Sequence, residues 1–268
     1  MPLDALAFAL GAAALHAFWN VVLARERDVE AATALAVVSV LVVLALPAAL
    51  TWRVEADAIP FIVASGVLEL VYFAMLAAAY RRYELSLVYP VARGLAPVLA
   101  LVIVVAAGGA LPAALGVVGV LAVSAGVLLV RGPRGNLHGL AVGAAIAAII
   151  GGYTVVDRYG IQHAAAGPYL LLIMIGPAIV YPLAIGKRRL KAAAGWQPFA
   201  IGAGLSVAYL LVLLALRVAS APAVSAVRET SVVMATALAA VFLHERVSRG
   251  RLAGSVLVAA GVALLALS

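Results

Sequence analysis

Arg93 and Arg228 are the residues whose chemistry needs explaining first. Arg93 is the sole charge between Leu85 and Ala107, and Arg228, with Glu229 beside it, interrupts the apolar run 221–243. A third charge, Glu69, stands at the midpoint of the run 58–80. If these runs cross a membrane, each charge costs roughly 2.5–3.5 kcal/mol near the centre of its helix, even on the lenient insertion scale. Charges placed there should face the protein interior or water and should have partners. Two uses fit the residue types. The charges can form buried ion pairs that fix helix packing. Alternatively, the guanidiniums can present a positive site to an anionic or zwitterionic ligand while Glu69 takes up protons. Arg228 and Glu229 are neighbours on a helix, so their side chains diverge by about 100° and neither should be the other's sole partner.

Helical spacing gathers further polar and aromatic side chains around these charges. His16, Trp19 and Asn20 share one face of the first run, and Glu69, Tyr72 and Phe73 share one face of the third. Tyr89 shares a face with Arg93, Tyr153 with Asp157, and Ser206 with Tyr209. Polar atoms facing lipid lack partners, so these faces should turn inward. Interfacial placement is the ordinary alternative for Tyr89 and Tyr153, and simple packing is the alternative for His16. Pro90 and Pro97 lie in the run of Arg93. Proline has no N–H, so Pro97 frees the carbonyl of Arg93 and Pro90 frees that of Ser86. Both are hinge candidates.

The elements that position these residues follow from composition. The chain has 268 residues, 67% hydrophobic and 11% charged, with a mean hydropathy of +1.20. A water-soluble domain is nearer half apolar and a quarter charged, so the class is an all-α polytopic membrane protein. A spanning helix needs about 20 apolar residues. Ten runs qualify, at about 3–24, 31–52, 58–80, 85–107, 112–130, 137–157, 167–186, 196–218, 221–243 and 250–267. The connections are short. The first run lacks a basic flank and a cleavage site, which predicts a retained helix. There is no cysteine, and the four histidines are scattered without metal-ligand spacing, so no cofactor or metal is expected. Nothing resembles an enzyme's nucleophile or metal motif. The net charge of +7 sits in short clusters between the runs, which suits membrane topology better than nucleic acid.

Those clusters also orient the chain. Thirteen of the 18 basic residues lie in the odd-numbered connections, and three (Arg53, Arg158 and Arg217) lie in the even ones. Odd connections are then cytoplasmic and both termini lie outside. Arginine outnumbers lysine 16 to 2, a bias in keeping with a bacterial inner-membrane protein.

A shift of 135 residues lays Arg93 on Arg228, Gly119 on Gly254 and Gly126 on Gly261. Each half, 1–135 and 136–268, holds five runs. Five is odd, so the halves would enter the membrane in opposite senses, as an inverted repeat of the kind found in secondary transporters. Arg93 lies about 12 Å into its helix from one side and Arg228 about 10 Å from the other, placing both near the midplane of a hydrocarbon layer about 30 Å thick.

The segments ALHAFWNVV (14–22), YPVARGLAPVLA (89–100) and VRETSVVMATALAAVFLHERVSRGRLAGSVLVAAGV (227–262) resemble the drug/metabolite transporter superfamily, in its EamA-like branch. The second half keeps the family's Glu-Arg pair at Glu245-Arg246, where the first has GGALP (108–112). The resemblance implies a ten-helix basket with a cavity lined by the first, third, fourth, sixth, eighth and ninth helices, the fifth and tenth lying at the edge. Small residues on those edge helices (Ala122 and Gly126, Gly250 and Gly254) would allow close packing, or an oligomer contact. The expected activity is secondary transport of small metabolites across the inner membrane by alternating access, coupled to an ion such as the proton, with export favoured over import. A non-transporting scaffold and a flippase for a lipid-linked substrate are the alternatives. The expected partners are a small-molecule substrate, the lipid bilayer and protons. The chain would act as a monomer or weak homodimer.

Overall fold

The structure, a computed structural model, describes residues 1–80, 82–83, 85–131, 137–243 and 248–268. The Glu245-Arg246 pair, Arg81, Arg134 and His244 lie outside the described residues. Twelve α-helices account for most of the rest. They are α1 (Leu3–Leu23), α2 (Val29–Leu50), α3 (Ile59–Tyr80), α4 (Leu85–Ala106), α5 (Ala114–Arg131) and α6 (Leu137–Gly160) in the first part. There follow α7 (Ala166–Ile185), α8 (Lys187–Ala193), α9 (Trp196–Val218), α10 (Ala221–Arg228), α11 (Thr230–Leu243) and α12 (Arg249–Leu267). No strand occurs among the described residues; one isolated bridge joins Val54 to Ala164.

Eight of these helices are long and apolar enough to cross a membrane. Large apolar side chains such as Leu46, Val63, Leu121 and Val256 are more than 45% exposed. Water would penalise that surface and hydrocarbon would not, so the fold is that of a polytopic membrane protein. Two runs differ from the sequence expectation. The stretch 187–195, read as a connection, contains the short basic helix α8. The run 221–243 is not one helix: it breaks after Arg228 into α10 and α11. At the break the backbone tightens to three-residue spacing, with Glu229 N–H donating to Ala226 O at 3.0 Å and Val232 N–H to Glu229 O at 3.0 Å. The Thr230 hydroxyl donates back to Val227 O at 2.8 Å, a bond that bends helices.

Helix ends are set by local chemistry. Asp28 caps α2, its Oδ1 accepting from Ala31 N–H at 3.0 Å. The chain leaves α4 through Gly108 at φ 80, a left-handed conformation that glycine adopts without strain. Arg158 and Arg217 fall in the last turns of α6 and α9 rather than in connections.

The helices pair selectively. α1 packs on α9, α10 and α11, and α6 packs on α3 and α4. α2 packs on α7 and α9, α3 on α7, and α5 on α12. The α5–α12 contact is a close backbone approach. A Cβ placed on Gly126 would lie 2.7 Å from Gly254 O, and one on Gly119 would lie 2.9 Å from Gly261 O. The small residues at 126 and 254 therefore serve a contact within the chain. Gly250 is different, its nearest atom being 3.8 Å away.

Candidate functional site

A cavity with about 80 Å³ of room for the centres of water-sized molecules lies among the middle turns of these helices. That is space for several waters or one small solute group. Glu69 from α3, Arg93 from α4, Tyr153 from α6, Tyr209 from α9 and Arg228 from α10 all reach it. α1 supplies His16 and Trp19, and Tyr72 and Phe73 complete an aromatic wall. α2 and α7 also contribute, through Thr33 and Met174, so the lining is broader than the six helices expected. The cavity extends to Leu23 at the end of α1, Thr33 near the start of α2 and Ile201 near the start of α9. Its reach is therefore toward the end of the molecule that carries the basic helix α8.

The opposite end is clasped. Glu55 N–H donates to His163 O at 2.9 Å and Ala165 N–H to Arg53 O at 2.8 Å, on either side of the Val54–Ala164 bridge. Arg217 Nη2 donates to Ala164 O at 2.6 Å. These contacts tie the α2–α3 connection to the α6–α7 connection and to the end of α9.

The two arginines are in different situations. Arg93 Nε donates to Glu229 Oε2 at 3.0 Å, with both side chains buried, and Arg93 Nη2 reaches Ser231 Oγ at 3.5 Å. Arg228 is half-buried, lines the cavity, and has no hydrogen-bond or ion-pair partner among the described residues. The reason is visible in the sequence. A shift of 135 lays Glu229 on Gly94, so only one half supplies a carboxylate, and Arg93 takes it. Trp19 Nε1 is a second unsatisfied donor: it is buried without a partner among the described residues. The Trp19 ring meets His16 edge-on at 4.7 Å.

Glu69 does not pair with either arginine. Its Oε1 lies 2.9 Å from the Tyr209 hydroxyl, and the same hydroxyl lies 2.7 Å from Asp157 Oδ2. Asp157 Oδ1 accepts from Ser65 Oγ at 2.6 Å and from the Tyr169 hydroxyl at 3.0 Å.

Residues 137–267 match the EamA-like transporter family. The second half of the chain is thus an EamA-like transporter segment. That agrees with the resemblance to the drug/metabolite transporter superfamily read from the sequence. No curated protein matches the chain in sequence. Among solved structures, 22 chains match. One is a protein crystal structure. It aligns at a TM-score of 0.82 with 17% identity, covering 100% of this chain and 98% of that one. At that identity the likeness speaks for the fold alone.

Not every residue singled out from the sequence reaches the transporter's cavity. Asn20 Nδ2 donates to His16 O at 2.7 Å, so its amide serves its own helix. Ser206 likewise donates to Gly202 O at 2.8 Å. Tyr89 is half-buried one turn before Arg93 and is not among the lining side chains. Asp157 and Glu229 sit behind the lining, held by Tyr209 and Arg93. α4 runs unbroken through Pro90 and Pro97; the interruption lies instead between α10 and α11. Sequence reasoning missed Ser65, Tyr169 and Ser231. Ser65 could have been found, because it lies four residues before Glu69 on the same face. Tyr169, near the start of α7, reads as an interfacial tyrosine and gives no such signal.

Proposed function

We propose that this transporter moves a small anionic or zwitterionic metabolite with an apolar portion across the bacterial inner membrane, by alternating access, coupled to protons through Glu69. One observation carries the substrate class. Arg228 lines the cavity with no partner among the described residues, while Arg93 is neutralised by Glu229. A guanidinium in such a place offers its donors to a carboxylate or phosphate. Trp19 Nε1 supplies a further donor, and Trp19, Tyr72, Phe73 and Tyr153 supply apolar surface.

The inverted repeat is supported by the pattern of contacts. Exchanging the halves turns the Gly119–Gly261 approach into Gly254–Gly126, and both occur. The same exchange turns α1–α9 into α6–α3, and α4–α6 into the contact of the α10–α11 pair with α1; all of these occur. Two five-helix units, 1–135 and 136–268, related by an axis in the membrane plane, account for this symmetry. The basic connections then face the cytoplasm and both termini face outward. In that orientation the cavity reaches the cytoplasmic side and the clasp closes the outer side, the disposition from which an exporter loads. The clasp and the break at Glu229 are the elements that would move, with Pro90 and Pro97 as secondary flexible points.

A thermal-shift screen of small carboxylates, phosphates and amino-group-bearing acids on the purified protein tests the substrate class. Ligand at about 100 times its Kd stabilises the folded state by about 2.7 kcal/mol. The expected result is a rise in Tm with at least one such compound that is lost in Arg228→Ala. A panel that shifts nothing, or an Arg228→Ala protein that responds like wild type, overturns the reading.

A further inference from the structure

The Tyr209 hydroxyl has two carboxyl oxygens within hydrogen-bonding distance, Glu69 Oε1 at 2.9 Å and Asp157 Oδ2 at 2.7 Å. A phenol has one proton to donate. If both carboxyls were ionised, one of these buried contacts would be oxygen against oxygen with no proton between, in a place where unsatisfied polar contacts are costly. One additional proton completes the chain. Donor counting shows where it belongs. Asp157 already accepts from Ser65 and Tyr169, so with Tyr209 it has three donors and stays ionised. Glu69 has Tyr209 as its one hydrogen-bond partner among the described residues, so Glu69 carries the proton and donates it to the Tyr209 oxygen.

The surroundings fit this assignment. Arg93 from α4, Arg228 from α10 and His16 from α1 line the cavity with Glu69. Arg93 is already matched by Glu229, and Arg228 is the candidate substrate ligand. Tyr153 from α6 and Tyr72 from α3 itself are the other titratable groups at the cavity. Tyr169 from α7 faces Asp157.

From this geometry we infer that Glu69 and Asp157 hold a single proton between them through Tyr209, as a relay joining the cavity to the clasped end of the transporter. This deepens the proposed function and rests on it for the word transport. Glu69 lines the cavity, whereas Asp157 lies behind Tyr209, three residues from the end of α6 that leads into the clasp. Transfer along the relay is balanced. The Glu69 O–H bond breaks as the Tyr209 oxygen takes that proton, and the original Tyr209 proton passes to Asp157 Oδ2. The negative charge moves from Asp157 to Glu69 and no net charge is created. Proton loading at one end and release at the other need only that the two carboxyls meet water in alternate states. Tyr209 is the positioning residue without which the carboxyls are disconnected.

Infrared difference spectroscopy on the purified full chain, without any substrate, reads that proton. At neutral pH one carboxylic-acid carbonyl band is expected. It shifts on ¹³C-glutamate labelling and not on ¹³C-aspartate labelling, and it disappears in Glu69→Gln. In Tyr209→Phe its frequency changes, because the acid loses its acceptor. Thr154→Val, a buried change on α6 outside the relay, leaves the band in place. Absence of the band in wild type, a shift with aspartate label, or an unchanged band in Tyr209→Phe overturns the relay. The labelling arm needs no variant, so a poorly folding Glu69→Gln does not weaken the test. A missing band with an intact Arg228-dependent thermal shift sinks the relay alone; a present band with no thermal shift sinks the substrate reading alone.

Discussion

Arg93 and Arg228 coincide under a 135-residue shift of the sequence, yet they should respond oppositely to removal. Arg93 is bonded to Glu229 at 3.0 Å with both groups buried. Deleting one member of such a pair leaves an uncompensated charge, at a cost of about 3–5 kcal/mol. Arg93→Ala and Glu229→Ala should each destabilise the folded protein by about that amount in a detergent unfolding titration. Arg228→Ala removes no partner and should cost less than about 1 kcal/mol, a size typical of changes away from such networks. Equal losses at 93 and 228 would mean that both arginines are structural. The sequence made the three charges conspicuous, because charge in an apolar run has few explanations. It did not show which charge meets which. Glu69 pairs with a tyrosine and an aspartate network rather than with arginine, and that choice depends on how α3, α6 and α9 cross. Ser65 and Tyr169 were hidden for a related reason: a hydroxyl in an apolar helix is cheap enough to need no explanation.

At the scale of elements, helix positions were legible because ten long apolar runs leave little freedom in where a helix can begin. The break in the ninth was not, since VRETSVV contains no proline or glycine, and the sequence pointed instead to Pro90 and Pro97. The interruption arises from the Thr230 back-bond, which a threonine in an apolar run does not by itself announce, and from the pairing of Glu229 with α4, which is long-range. The stripe of small residues on α5 and α12 was legible as a close contact, and the structure assigns it within the chain. Gly126→Val should therefore overpack the α5–α12 seam and destabilise by about 1–3 kcal/mol, whereas Gly250→Ala, whose Cβ would meet Leu129 O at an ordinary 3.8 Å, should be neutral or stabilising by up to about 1 kcal/mol. Thermal unfolding of the two variants checks the contrast. At the other end of the bundle, Arg189 makes two 2.7 Å bonds to Asp28 and one of 2.8 Å to Glu30, tying α8 to the start of α2. The Arg189 bonds hold the Asp28 carboxyl below its ordinary value. A depressed carboxylate contributes stability above its unfolded pKa of about 3.9 and loses it as pH falls through the lower folded value. The pair is partly exposed, so its worth is at most about 1 kcal/mol. Wild type should exceed Arg189→Ala in Tm at pH 7, and the gap should close as the pH is taken below about 4.

At the scale of the whole molecule, the cavity reaches one end and the clasp closes the other, and the two facts together define a single access state. Under the proposed alternating access the clasp must open, so fixing it shut should separate binding from transport. The Val54–Ala164 bridge supplies the site. Opposed residues of an antiparallel bridge have Cα atoms about 4.5–5.5 Å apart, within the usual span of a disulfide. The chain contains no cysteine, so a Val54→Cys/Ala164→Cys pair introduces the only thiols. Oxidation should leave the Arg228-dependent thermal shift intact, because the cavity and its approach past Leu23, Thr33 and Ile201 lie away from the cross-link. It should abolish exchange of the same ligand across reconstituted vesicles, and reduction should restore it. Undiminished exchange by fully oxidised protein would show that the clasped connections do not part during the cycle. Loss of the thermal shift as well would show that the cross-link distorts the cavity, and that the two ends are coupled through α9, which carries both Tyr209 in the cavity and Arg217 in the clasp.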